Sequence, residues 1–324
     1  MKRALIIGIN YYEENNCLHG CVNDAIQVAA ILGKNGDGSP NFDVRKLIAT
    51  DSSLIVRKED FIENLQYLFE DDVDTALFYY SGHGGIDKQK GGFLCPSDVN
   101  EQGGIFLSDL NNIISNSKAK NKIIILDSCH AGAMGNSEID IFSGIAILKE
   151  GTTVLAAATA NQYAVEANGT GIFTNLLVDA LSGSAANILG QITPGSVYAH
   201  IDQSLGAWDQ RPVFKTNVKE FTKLRTVSPS ITREDLRRLV EFFESPASNF
   251  GLTPEFEPEN DAIPNNQKDQ TKLQQFACLQ RMARVNLVVP IDETHMYHAA
   301  MNSKGCKLTA LGAHYWNLVK RGRI

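Results

Sequence analysis

Apolar residues fall along the first two thirds of the chain in short unbroken runs, with amphipathic stretches between them. Ile123-Ile124-Ile125-Leu126 is bounded by Lys120-Asn121-Lys122 and by Asp127-Ser128-Cys129-His130, the pattern of a strand buried on both faces. Similar runs predict strands over residues 4–9, 44–49, 76–80, 152–158 and 213–218. Between them apolar positions recur at helical spacing: Ala25, Val28, Ala29 and Leu32 within 23–33, then Phe61, Leu65 and Leu68 within 56–69. Further helices are predicted over 107–114, begun by Ser108 or Asp109, over 172–181, and over 197–205 with Pro194 and Ser196 marking the start. Residues 81–85 read as a Gly-rich turn and 91–96 as a short hairpin. Strands alternating with helices in this way predict an α/β fold, a mainly parallel sheet with helices on both faces.

Composition changes near Thr226-Val227-Ser228-Pro229-Ser230, and the chain reads as three parts. Residues 1–225 form the α/β body. Residues 226–267 read as a linker and flexible segment holding one helix over 232–243, with Thr232 as its cap, because 245–267 is rich in Pro, Asn and Glu without periodicity. Residues 268–324 read as a small α+β module: an amphipathic helix over 272–286, a polar hairpin over 296–309 around Asn302-Ser303-Lys304-Gly305, and a closing helix over 310–319. This end resembles a winged helix.

A hydrophobic content of 43% and a charged content of 21% are those of a folded soluble protein, and no run approaches the roughly 18 apolar residues needed to span a bilayer. Met1-Lys2-Arg3 with the apolar residues 4–9 is too brief for a signal peptide and lacks a small-residue cleavage site, so it reads as a first strand. Six cysteines in 324 residues are not a disulfide framework, and a reactive thiol needs a reducing compartment; the expected location is the cytoplasm, with no membrane partner. The net charge of −7 is unevenly placed: 18 Lys and Arg against 26 Asp and Glu in 1–225, but 12 against 11 in 226–324. The body therefore does not suit nucleic acid. After Glu293 only Lys304, Lys307, Lys320, Arg321 and Arg323 carry charge, enough for a weak, salt-dependent contact with phosphates, and protein interaction is the favoured reading of this part. No phosphate loop or dinucleotide fingerprint follows a strand, which argues against nucleotide chemistry.

The candidate chemistry sits where two apolar strands stop. Cys129 ends the run Ile123–Leu126, and His83 stands between glycines after Ala76-Leu77-Phe78-Tyr79-Tyr80. Alone, the first would be a core cysteine and the second a satisfied loop histidine. Together, on adjacent parallel strands, they would meet at the carboxyl edge of the sheet, where such folds place their clefts. A thiol becomes a nucleophile near neutral pH when a neighbouring imidazole takes its proton. Cys17, His19 and Cys21 lie close together, but no partner pair elsewhere has zinc-site spacing.

Tyr79-Tyr80-Ser81-Gly82-His83-Gly84 and Asp127-Ser128-Cys129-His130-Ala131-Gly132 resemble the paired motifs of caspase-like cysteine peptidases, in their metacaspase and orthocaspase branch. Cys21-Val22-Asn23-Asp24-Ala25 and Gly171-Ile172-Phe173 are similar to features of that family, and the resemblance covers residues 1 to about 220. The 46 positions between His83 and Cys129 sit near the separation of about 50 typical of caspases. The resemblance implies the caspase-hemoglobinase fold, Cys129 as nucleophile, His83 as acid and base, and the backbone N–H groups of Gly84 and Cys129 as an oxyanion site. It places Cys21, Asp24, Ser81 and Asp127 in the first specificity pocket, with Glu166 near it. Carboxylates there would pair with a guanidinium or ammonium, so protein or peptide substrates with Arg or Lys at the cleaved bond are expected. Such enzymes are often latent, and Lys149, Lys223 and Arg225 are candidate cleavage sites for the enzyme itself or for an upstream protease or sensor. The resemblance also raises calcium, through Asp98 and Asp109. Ser108 and Asn136 stand where further carboxylates are expected, so no cofactor is favoured.

Overall fold

The apolar runs become the strands of one sheet. In the computed structural model residues 1–13, 17–70, 72–87, 89–98, 103–130, 148–157, 166–167, 170–206 and 212–324 are described, with Cys129, His130, Glu166, Ala167 and Thr170 described through their backbones. The first unit, Met1–Ser228, begins β1 (Lys2–Ile9), α1 (Cys21–Gly33), β2 (Asp43–Ala49), α2 (Lys58–Glu70) and β3 (Thr75–Asp87). It continues through β4 (Gly91–Leu94), β5 (Ile105–Phe106), α3 (Leu107–Asn116), β6 (Asn121–His130) and β7 (Thr152–Ala156). The remaining elements are β8 (Glu166–Ala167), β9 (Thr170–Gly171), α4 (Ile172–Asp179), β10 (Gln191–Ile192), α5 (Pro194–Ser204), β11 (Val213–Asn217) and β12 (Arg225–Thr226). The sheet runs β2-β1-β3-β6-β7-β11. Its strands are parallel except β11, and β3 also pairs antiparallel with β4.

Strand alternation divides the core into two layers. Leu5, Ile7, Phe78, Tyr80, Ile124 and Leu126 join Phe61, Leu65, Leu68, Leu110 and Ile114 of α2 and α3. Ala4, Ile6, Leu77, Tyr79, Ile123 and Ile125 join Ala25, Val28, Leu177 and Ile201 of α1, α4 and α5. Gly8 is the point of closest approach: a Cβ there would lie 2.3 Å from the Cys21 carbonyl oxygen and 2.6 Å from the Ala25 Cβ. Its absence lets the start of α1 settle onto β1.

Two expectations are corrected here. The stretch around His83 is not a turn: β3 runs unbroken to Asp87, because Gly84–Asp87 pair with β4. The glycines serve close packing instead, since a Cβ on Gly85 would stand 2.5 Å from the Phe93 ring. Second, α3 starts directly out of β5, with Phe106 at its N-cap and no side-chain cap bond, so neither Ser108 nor Asp109 begins it.

The second unit, Pro229–Ile324, contains α6 (Arg233–Arg237), α7 (Leu239–Phe242), β13 (Asn249–Gly251), α8 (Gln270–Arg284), β14 (Val288–Pro290), α9 (Met296–Met301), β15 (Gly305–Leu308) and α10 (Ala310–Lys320). Its three strands form an antiparallel sheet in the order β13-β15-β14. Side chains of Thr232, Asp269 and Thr309 cap α6, α8 and α10. The division therefore falls after Ser228, and 229–267 is not a flexible segment. Its order comes from aromatic packing rather than periodicity: Phe242, Phe243 and Phe256 surround Phe250 with ring centroids 5.4–6.4 Å away. The polar hairpin over 296–309 is also corrected. Met296, Ala299 and Ala300 recur at helical spacing and are buried, so that stretch is α9 followed by β15, which pairs with β14 and β13.

Candidate active site

The register of β3 against β6 builds the site. The parallel pairing sets Ser81 beside Asp127, His83 beside Cys129 and Gly84 beside His130. Adjacent strands lie about 4.8 Å apart, so the backbone alone brings the two candidate dyad positions to neighbouring points on the sheet. The same register, two residues earlier, joins two of the expected pocket residues. Both pairs lie toward the carboxyl ends of β3 and β6, the edge at which open α/β sheets carry their sites.

The backbone of His83 is held on both sides. Its N–H donates to the Tyr12 hydroxyl at 2.7 Å, and its carbonyl accepts from the Tyr80 hydroxyl at 2.6 Å and from the Cys95 N–H at 3.0 Å. The Tyr12 and His83 rings lie against each other with centroids 4.6 Å apart and planes tilted by 46°. Tyr80 belongs to the motif around His83, whereas nothing in the sequence singled out Tyr12.

Four of the five expected pocket residues converge. Asp24, in the first turn of α1, is 2% exposed, and its Oδ2 accepts from the Ser81 hydroxyl at 3.2 Å. The N–H of Gly171, which heads α4, points at the same carboxylate, 3.3 and 3.4 Å from its two oxygens. Asp127 is also buried, and its Oδ2 accepts from the Thr174 hydroxyl at 2.5 Å. Thr174 in turn lies 2.6 Å from the Tyr79 hydroxyl. Because the one hydrogen of Thr174 goes to Asp127, Tyr79 is the donor in that contact. Burial, then Asp127 and Asp24, push the Tyr79 hydroxyl well above its ordinary range, so it stays protonated. A Cβ on Gly171 would lie 2.7 Å from Asp127 Oδ2 and 3.4 Å from Asp24 Oδ2, which places both carboxylates at one point. Cys21 is buried at the start of α1. Glu166 is placed through its backbone, where β8 pairs it with Gly171. Thr174 is a member of this cluster that the sequence motifs did not reveal; its only signal was a position just after Gly171-Ile172-Phe173.

The other candidates disperse. Asp98 Oδ1 accepts from the Lys58 N–H at 2.9 Å and so caps α2, while Asp109 is exposed in the first turn of α3. Among the described residues no three His, Cys, Asp or Glu side chains cluster as a metal site would need, and Asn136 lies outside those residues. Lys149 is exposed, its ammonium on the Ser115 carbonyl at 2.8 Å, and Lys223 is exposed as well. Arg225 is less suited to cleavage: it sits in β12 paired with β10, and its guanidinium donates to the Lys34 and Leu181 carbonyls. No helix among the described residues is long and apolar enough to cross a membrane.

Comparison with known proteins agrees with this architecture. Residues 1–240 match the family described as Caspase domain. Metacaspase-1 of Meyerozyma guilliermondii is 34% identical over 146 residues, covering 40% of this chain and 35% of that protein. Metacaspase-1 of Debaryomyces hansenii is 28% identical over 207 residues, covering 59% of this chain and 43% of that protein. The chain thus spans between a third and a half of the length of these relatives. The crystal structure of protein GSU0716 from Geobacter sulfurreducens superposes with a TM-score of 0.53 at 18% identity, over 70% of this chain and 99% of that one, a likeness of fold. With a parallel α/β sheet carrying His83 and Cys129 in register and a family match over residues 1–240, the chain belongs to the caspase-domain family, and within it is similar to metacaspases.

Proposed function

We propose that this chain is a cysteine endopeptidase that cleaves after arginine or lysine. The observation that carries the reading is the β3–β6 register, which sets His83 beside Cys129 and Ser81 beside Asp127. In this reading His83 takes the Cys129 proton, and the thiolate attacks the scissile carbonyl. The N–H groups of Gly84 and Cys129 hold the oxyanion, and the protonated His83 then gives its proton to the leaving amine. His83, neutral again, then takes a proton from a water that attacks the Cys129 thioester; the C–S bond breaks, the acid product leaves and the sulfur regains its proton from His83. Two carboxylates gathered at Gly171 form an anionic pocket floor that favours a guanidinium or ammonium and repels an aspartate. Cys21, at the start of α1, belongs to the same pocket in this reading.

Peptide panels with each of Arg, Lys, Asp and Leu before the cleaved bond test this reading. Arginyl and lysyl peptides are expected to turn over with the wild type and not with Cys129→Ala. Faster turnover of aspartyl peptides would overturn the basic specificity.

Latency follows from the same specificity. Lys149 is exposed on the path from β6 to β7 and offers a bond the enzyme would accept, whether cut by itself or by an upstream protease. Intact-mass measurement is expected to show a cut after Lys149 in the wild type, and an intact chain for both Lys149→Ala and Cys129→Ala. Calcium is not favoured in this scheme, and activity is expected to persist in a calcium chelator.

A further inference from the structure

We infer that Tyr12 is a positioning residue for the catalytic imidazole, acting through a two-tyrosine clamp on His83. The inference rests on the dyad reading above and adds to it the element that fixes the histidine. Tyr12 lies in the connection between β1 and α1, far from His83 in sequence, yet it reaches the histidine in two ways. Its hydroxyl accepts the His83 N–H at 2.7 Å, and its ring lies against the imidazole at 4.6 Å between centroids, tilted by 46°. On the other side of the same residue, the Tyr80 hydroxyl donates to the His83 carbonyl at 2.6 Å and to the Cys95 carbonyl at 3.0 Å.

The hydrogens can be assigned by counting. Each phenol has one, and that of Tyr80 is shared between two carbonyls. The contact of 3.5 Å between the two hydroxyls is therefore donated by Tyr12 to the Tyr80 oxygen. The Tyr12 oxygen is then left to accept the His83 N–H, as observed. Burial pushes both phenols well above their ordinary range, so neither loses the hydrogen this network needs. Both peptide groups of His83 are thereby fixed, and its ring has one face occupied by an aromatic plane.

Gly82 shows how closely the clamp is fitted. A Cβ at this position would stand 2.6 Å from the Tyr12 hydroxyl oxygen and 2.6 Å from that of Tyr80. The glycine before His83 is thus the space in which the two hydroxyls meet. A hydrophobic core needs no hydroxyl at Tyr12, which is 6% exposed; phenylalanine would fill the same volume. Burying that oxygen is accounted for by its bond to the residue that carries the imidazole.

The test compares Tyr12→Phe, Tyr12→Leu and Gly82→Ala with the wild type and Cys129→Ala, using an arginyl peptide and, separately, iodoacetamide alkylation of Cys129. Thermal melts check that each variant is folded. Tyr12→Phe keeps the ring and loses the bond, and is expected to lower kcat about threefold to tenfold. Tyr12→Leu also loses the aromatic face, and is expected to lower kcat about a hundredfold, the scale of a small misplacement of a catalytic group, with KM within about twofold. Alkylation should slow in the same order. Gly82→Ala, which displaces both hydroxyls without touching either tyrosine, should reproduce the kcat loss. A folded Tyr12→Leu with wild-type kcat and alkylation rate would overturn the clamp and leave the dyad standing. A wild type with no Cys129-dependent turnover would instead remove the dyad, and the clamp's purpose with it. Should Tyr12→Leu fail to fold, a folded Tyr12→Phe with unchanged kcat and alkylation rate overturns the proposal by itself.

Discussion

At the scale of single residues, the proposed pocket would depend on a chain of hydroxyls as well as on carboxylates. Tyr79 donates to Thr174, Thr174 donates to Asp127, and all three are buried. Thr174→Val keeps the shape and removes both the acceptor for Tyr79 and a donor to Asp127. It is expected to destabilise the first unit by about 1–3 kcal/mol, the range for buried polar groups losing a partner. It should also lower kcat/KM for arginyl peptides about tenfold by freeing the Asp127 carboxylate to rotate. Thr174→Ser should restore most of both quantities; urea unfolding and steady-state kinetics measure them. Such residues escape a reading of the sequence because their partners are distant. Thr174 meets Tyr79 across 95 positions and Asp127 across 47, and Tyr12 meets His83 across 71. His83, Cys129, Asp24 and Asp127 were legible because each stands at the end of an apolar run or the start of a helix, where chemistry and periodicity coincide.

At the scale of elements, glycines decide which surfaces touch. Gly8 sits under the first turn of α1, the helix that carries Cys21 and Asp24. In Gly8→Ala the new methyl cannot share space with the Cys21 carbonyl, so β1 and α1 must separate. Overpacking of this kind costs about 1–3 kcal/mol, or roughly 2–12 °C in Tm for a unit of this size. The accompanying displacement of Asp24 should raise KM for arginyl peptides more than it lowers kcat, which calorimetry and kinetics together would show. The glycines of β3 explain why that strand was legible only as far as Tyr80. Glycine usually punctuates, yet here the pairing with β4 carries the strand onward.

The second unit has its own clasp between elements: Asp235 of α6 accepts from Arg281 of α8 at 2.8 and 2.7 Å and from the Cys278 thiol at 3.2 Å. The Arg281 bond, opposed by burial and helped by Cys278, lowers the Asp235 carboxyl to about 2. A folded-state pKa below the unfolded value of about 3.9 gives stability that is complete above pH 4 and is lost as pH falls toward 2. Arg281 is 47% exposed, so solvent screening trims the contribution to about 2 kcal/mol or less. Urea unfolding read by Trp316 emission in a Trp208→Phe background should show Asp235→Asn less stable than its parent at pH 7. That gap should narrow as pH falls below 4 and close only at about pH 2 and below; a gap unchanged with pH would show that the carboxyl is not the source.

At the scale of the whole molecule, every residue assigned to the site lies before the division at Ser228, and so do both layers of the first core. The sheet is closed at one side by β11, and β12 pairs with β10 just before the division. Among the described residues no strand of the second unit joins this sheet; the strands β13, β14 and β15 form a sheet of their own. The α/β body was legible because buried parallel strands announce themselves as unbroken apolar runs. In the second unit the helices predicted over 232–243, 272–286 and 310–319 were legible, while the segments between them were not, because they pack through single aromatic residues in short aperiodic stretches such as Phe250 and Phe256. A unit with its own core and its complete site should work alone. A chain ending at Ser228 is therefore expected to melt cooperatively and to keep kcat/KM for arginyl peptides within about threefold of the full chain, since about 0.65 kcal/mol corresponds to a threefold change. If the shortened chain folds but loses Cys129-dependent turnover, residues 229–324 are needed for catalysis itself; if turnover rises, they restrain it. Unchanged turnover would leave them the task of choosing where and on what the proposed peptidase acts, which cleavage of whole-protein substrates by the two chains would then compare.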